Sequence, residues 1–257
     1  MSALRQVGAG LRLQLAISRR SPAQFLVLVT APLFTVIFLS LAVHYDNPDQ
    51  VTNAVIGPGL IGLWAISLDV ASSILAEDRW YGRLELLVGA PGSLELVVAG
   101  RIVAVALAGS LAFLESWLVA TWGFGLRIHI AQPGVAVAAL VATTVATACT
   151  ATMLAALFMV SRTVHVFQNS MSYPVYILGG VVVPVSALPG WLGPVSDVIF
   201  LSWSADLLRD AVDGVAGDVG WRLLAILGLG GAALGAATLL MRAVQDRLRR
   251  TATAAFG

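Results

Sequence analysis

Residues 135–160 read VAVAALVATTVATACTATMLAALFMV, a run of 26 positions without one charged side chain. As a helix this run rises about 39 Å, enough to cross a hydrocarbon core about 30 Å thick. Five further apolar runs flank it, from Phe25 to Val43, Val55 to Ala76, Leu96 to Trp122, Phe167 to Leu188 and Trp221 to Met241. The whole chain of 257 residues is 58% hydrophobic and only 11% charged. A soluble domain carries about 25% charged residues, so this composition cannot clothe a globule in water-compatible surface. The expected fold is an all-α integral membrane protein of six transmembrane helices, with little length left for a soluble domain.

Composition also removes several chemistries. All 15 basic residues are arginine, so the lysine of a Walker A loop and a Schiff-base lysine are both missing. The single cysteine, Cys149, lies inside an apolar run, and His44, His129 and His165 are far apart, which leaves no disulfide and no zinc spacing. No Gly-x-Ser-x-Gly, His-Glu-x-x-His or aspartate cluster appears. An enzyme is therefore disfavoured, no metal or other cofactor is expected on this chain, and a net charge of +1 gives no reason to expect nucleic acid.

Residues 1–22 place Arg5, Arg12 and Arg19 at seven-residue spacing and Leu4, Val7, Leu11 and Leu15 three or four apart. That pattern separates a basic from an apolar stripe and predicts an amphipathic helix at the membrane surface. The first apolar run is longer than the hydrophobic core of a signal peptide, about 7 to 15 residues, so it is read as a retained span. The transmembrane domain then covers 23–243 and a basic tail 244–257. Four arginines and no acid precede residue 23, and four arginines against Asp246 lie between Arg242 and Arg250. Both ends should be cytoplasmic, as six crossings permit. Asp46, Asp49, Asp197, Asp206, Asp210, Asp213 and Asp218 then fall on the outer connections.

Two connections are more than turns. Residues 77–92 mix Glu77, Asp78, Arg79, Arg83 and Glu85 with Trp80, Leu84 and Leu87, and end at Pro91-Gly92. This segment reads either as a short helix offering charges to a partner or as a solvated surface turn with interfacial aromatics. Residues 188–220 include an apolar stretch, Trp191 to Trp203, too short to cross, which forms either a re-entrant element or an external helix.

Asp69, Glu115 and Arg222 fall inside predicted spans, where a charge needs a partner, water or a route to the headgroups. Asp69 and Glu115 lie at different depths and cannot form a pair within one chain; Arg222, at a span end, is expected to snorkel. The fifth run starts with His165, Gln168, Asn169, Ser170 and Tyr173, polar enough to face protein or water, and Pro174, Gly179-Gly180 and Pro184 loosen it. Gly231 and Gly235 form a small-xxx-small pair, expected to pack within the chain.

In order and spacing these features resemble the permease subunits of ATP-binding-cassette exporters of the second membrane-domain type, the six-helix bacterial drug, antibiotic and polysaccharide exporters. Gly57-Pro58-Gly59 looks like the Pro-Gly that opens the family's second helix. Glu77, Arg79, Gly82, Leu84, Glu85, Leu87 and Pro91 resemble its Glu-Arg…Gly-Thr-Leu-Glu…Leu…Pro pattern, with Arg83 where threonine is usual, and Gly100-Arg101 stands where Gly-Lys is common. Gly180, Pro184, Leu188, Pro189 and Trp191 are similar to the family's Gly…Phe-Pro…Leu-Pro-Trp signature. Beyond them, Ser204-Ala205-Asp206-Leu207-Leu208-Arg209 and Gly214 resemble a conserved-type Asp-Leu-Arg…Gly segment, with Ser202-Trp203 in place of Asn-Pro.

The resemblance implies a transport subunit without an ATPase site, working as a dimer with an identical or paralogous protomer and a cytoplasmic ATPase that supplies ATP and magnesium. Glu77, Arg79, Trp80, Gly82, Arg83 and Glu85 would form the coupling interface. Asp69, Asn169 and Tyr173 would line the substrate path, and Pro184, Pro189, Trp191, Asp206 and Arg209 an external re-entrant gate. A multi-pass location in the bacterial plasma membrane and an apolar or amphipathic cargo follow as expectations. The competing readings are an ion-coupled secondary transporter, a polysaccharide or glycolipid exporter of the same family, and a scaffold or immunity protein; the first would require a relay of buried acids that Asp69 and Glu115 do not supply.

Overall fold

The computed structural model describes residues 3–20, 29–45, 49–80, 94–158 and 164–254, and among them regular structure is helical throughout. The helices are α1 (Ala3–Arg20), α2 (Thr30–His44), α3 (Asp49–Trp80), α4 (Leu94–Gly109), α5 (Leu111–Leu118), α6 (Pro133–Phe158), α7 (Val164–Leu178), α8 (Gly193–Asp197), α9 (Phe200–Asp213) and α10 (Val219–Ala254). A π-helical turn, Val119–Gly123, extends α5. Among the described residues four stretches are long and apolar enough to cross a membrane: Gln50–Ala71, Leu96–Gly123, Pro133–Phe158 and Val219–Ala243. Helices α2 and α7 have 15 residues each, and residues 21–28 ahead of α2 and 159–163 ahead of α7 lie outside those described.

The third predicted run is two helices stacked end to end, α4 and α5, which meet at Ser110 with its N–H still bonded to the Ala106 carbonyl. Two boundaries differ from the sequence reading. Helix α3 begins at Asp49, so Pro58 lies inside it instead of opening it. Proline costs a helix one N–H bond, here toward the Ala54 carbonyl, but a 32-residue helix clasped by neighbours tolerates the loss. Helix α7 stops at Leu178, ten residues short of the expected end. Gly180 adopts φ +65°, a left-handed conformation natural to glycine, and the N–H groups of Val181 and Val182 both return to the Tyr176 carbonyl.

The bundle packs around α3. It lies against α2, α4, α5, α6 and α9, while α10 runs along α6 and α1 along α4. Leu63, Ile66, Val70, Ile74, Ile102 and Val105 form one core with alanines of α6; Leu60, Trp64, Leu68, Phe200, Leu201, Leu207 and Ile226 form a second toward α9 and α10. In a bilayer small residues allow close helix approach, and the alanine-rich face of α6 serves both cores.

Helix α1 buries a face other than its apolar stripe. Gly10, Gln14 and Ser18, each four residues from the next, are buried, whereas Leu4 is 84% exposed and Leu15 is also outward. Close approach explains this choice: a Cβ on Gly10 would strike the Val97 carbonyl oxygen, and one on Gly100 that of Val7. Arg5, Arg12 and Arg19 remain exposed.

Gly231 and Gly235 do not pack within the chain as expected. Nothing among the described residues lies within 4 Å of a Cβ added at either, while one at Gly230 would come within 2.8 Å of the Ala146 Cα. Burial along α10 follows Ile226, Gly230, Ala237 and Met241, so the expected pair sits on the opposite, open face. Helix α10 continues beyond the candidate span, which ends at Ala243, to Ala254, within the predicted tail.

Candidate functional site

A polar cleft occupies the end of the bundle where α3, α6 and α10 begin. Its cavity of about 350 Å³ is lined by Thr52, Asn53, Pro184, Ser186, Asp206, Arg209, Asp210, Asp213 and Arg222. Helix α9 organises it. Phe200, Leu201, Ala205, Leu207, Leu208 and Ala211 recur at helical spacing and bury one face, which turns Asp206, Asp210 and Asp213 at spacings of four and three onto the cleft. Gly214, with φ +82°, ends the helix and lets the Val215 N–H cap the Asp210 carbonyl at 2.9 Å.

Three tethers bind α9 to its neighbours through polar side chains. Arg209, 7% exposed, donates from Nη1 to Asp206 Oδ1 at 3.0 Å and from Nη2 to the carbonyl oxygens of Gly180 and Val181. It thereby fastens the turn after α7, whose carbonyls no helix satisfies. Arg222 of α10 pairs with Asp210, both about a quarter exposed, and the Thr52 hydroxyl of α3 donates to Asp213 Oδ1 at 3.1 Å. Backbone bonds add a fourth link: Ala131 and Gln132 N–H groups donate to the Val212 and Ala211 carbonyls at 3.1 and 2.9 Å, joining the start of α6 to the end of α9.

Burial pushes the Asp206 carboxyl above its ordinary range, against the pull of Arg209, and lowers Arg209 against the pull of Asp206. The cleft holds three carboxylates and two guanidiniums, so it is polar and close to balanced in charge. Two buried atoms in its lining, Asn53 Oδ1 and Arg209 Nε, lack a hydrogen-bond partner among the described residues. Such an arrangement suits a mechanical joint or a polar vestibule.

The predicted gate residues are only partly gathered. Pro184, Asp206 and Arg209 meet in the cleft; Pro189 precedes a short 3-10 turn, Gly190–Leu192, in which Trp191 is 75% exposed. Arg222, expected to reach toward the headgroups, is paired with Asp210 at the start of α10. Glu115 Oε2 is buried without a hydrogen-bond partner among the described residues, and Asp69 is half-buried on α3.

Of the expected path residues, Tyr173 is 71% exposed on α7 and Ser170 beside it is exposed too; Asn169 lies on the same helix, its side chain outside the described set. Of the expected coupling residues, Glu77, Arg79 and Trp80 form the last turn of α3 and not a separate helix, since nothing from Ala71 to Trp80 breaks one. Their side chains, with Gly82, Arg83 and Glu85, lie outside the described residues.

Sequence reasoning overlooked Asp210, Asp213, Thr52 and Asn53 as members of the cleft. The four-and-three spacing from Asp206 to Asp213 was a readable signal; Thr52 and Asn53 carried none, being brought there by the tertiary fold. It also left Arg101 as a motif position. Arg101 is 1% exposed and donates from Nε to Gln14 Oε1 at 3.1 Å, across the α1–α4 contact.

A family model described as ABC-2 type transporter matches residues 5–212 of the chain. Comparison with curated proteins finds no match. The matched region covers the surface helix, the polar helix α7 and nearly all of α9.

Proposed function

The chain belongs to the ABC-2 type transporter family and is thus the membrane-spanning component of an ABC transporter; from this premise we propose that it exports an apolar or amphipathic cargo. Two such protomers enclose the path, and a separate cytoplasmic ATPase drives them by alternating access. The arginines at both termini put the α1 end in the cytoplasm, which makes the polar cleft external. Helices α2 and α7 complete a count of six crossings.

The observation that carries this reading is α7. Its main neighbour among the described helices is α3, yet it presents Ser170 and Tyr173 outward. A hydroxyl face is costly against lipid, and a second protomer or a wet path relieves the cost. Closure of the ATPase subunits would push the end of α3 and the residues after it, and the α7–α9 turn with its Arg209 clasp would serve as the outer gate.

The test is a cross-link. With Cys149 replaced by alanine, Tyr173→Cys in membranes should join two chains through a short bis-maleimide, in a yield that changes when the ATPase subunit is trapped with ATP and vanadate. Monomer alone under all conditions would refute the path, and uphill cargo movement by vesicles lacking any ATPase would refute ATP drive.

A further inference from the structure

At the α1 end of the bundle an apolar groove of about 270 Å³ opens between α1, α4, α6 and α10. Leu96, Ala99 and Leu107 of α4, Val145 of α6, and Leu234 and Thr238 of α10 line it, and Val7 of α1 closes one end. Leu107 and Val145 are about half exposed, so the groove lies open to whatever surrounds the bundle. From Leu96 to Leu107 the wall rises about 16 Å. One leaflet of a hydrocarbon core about 30 Å thick measures about 15 Å.

None of the described residues that line the groove is charged. Leu234, Thr238 and Arg242 follow at intervals of four on α10, so the exposed Arg242 continues the groove-lining stripe one turn beyond its end. Arg5 and Arg12 of α1 are exposed on either side of Val7 in sequence, and the outward Leu4 gives that helix an apolar flank. An apolar slot one leaflet deep, with a guanidinium one turn beyond its end, matches a molecule that has a hydrocarbon tail and an anionic head.

We propose that this groove is a binding site for an anionic phospholipid, with one acyl chain between α4, α6 and α10 and the phosphate at Arg242. The site stands apart from the outer cleft and from the α7 face. It requires neither transport nor an ATPase.

The full chain, purified in mild detergent with equal phosphatidylglycerol and phosphatidylcholine, is weighed by native mass spectrometry. Wild type should retain one phosphatidylglycerol per chain in preference to phosphatidylcholine. Arg242→Gln should lower that preference about five-fold while bound lipid persists. Ala99→Phe, which fills the slot, should abolish retention of both. Equal retention of the two lipids by wild type, undiminished retention in Ala99→Phe, or a chain dimer carrying no lipid would each overturn the proposal. The wild-type competition decides the matter even where a variant fails to accumulate.

Discussion

Arg101 and Gln14, 87 residues apart, are joined by a 3.1 Å bond from Nε to Oε1 that runs through the contact between α1 and α4. Both side chains are 1% exposed. A guanidinium this buried must keep its polar partners, so the bond both fixes the seat of α1 and makes that seat intolerant of change.

Gln14→Leu should therefore lower stability by about 1.5–3 kcal/mol, the cost of leaving a charged donor short of its acceptor. Thermal unfolding in detergent measures it. Arg101→Leu with Gln14→Leu should recover part of the loss, because the apolar pair leaves no stranded charge. A double variant no better than the worse single one would show that the bond is not what Gln14 contributes.

Adjacent glycines on α10 should respond in opposite directions. Gly231→Ala meets open space and raises helix propensity, giving a gain of about 0.5–1 kcal/mol. Gly230→Ala drives a methyl into the backbone of α6 at Ala146 and should cost about 1–3 kcal/mol. Unfolding midpoints of the two variants check the sign of each.

The Asp210–Arg222 pair predicts rescue by exchange. Asp210→Arg and Arg222→Asp should each weaken the α9–α10 junction, and the double exchange should restore at least about 0.5 kcal/mol of coupling. Trypsin cleavage after Arg209 should be slow in wild type, where the residue is buried, and reports on that junction without any need for cargo.

Acid should act on Asp206 against the usual direction. Its carboxyl is raised by burial, so the ionised form costs the native state stability at neutral pH, and the cost disappears as pH falls through the raised value toward the unfolded value of about 3.9. The midpoint of wild type relative to Asp206→Asn should become more positive on acidification. The effect is small, because 44% of the Asp206 side chain stays exposed.

Long apolar runs were legible because lipid imposes one strong requirement on composition, and Val135–Val160 came within two residues of α6. Helix ends were less legible. Gly180 stops α7 through a backbone conformation, whereas Pro58 fails to stop α3 because neighbours hold the helix on both sides of it. Faces were hardest to read. The sequence reading turned the apolar stripe of α1 toward the membrane surface, and Leu4 and Leu15 are exposed; what it did not show is the face that meets α4, Gly10, Gln14 and Ser18, since two backbones in contact need small side chains. At the cleft, Asp206 and Arg209 were expected, while Arg222 found its partner through a junction of two helices that spacing along one helix cannot encode.

Helix α3 runs without interruption from Asp49 to Trp80, about 48 Å. Thr52, bonded to Asp213, is near one tip and Glu77 near the other. A tilt of five degrees about one tip carries the far tip about 4 Å, more than a hydrogen bond survives. Were the Trp80 end displaced, α3 would carry the motion toward the Thr52–Asp213 bond, with Pro58, where the helix lacks one hydrogen bond, lying between the two.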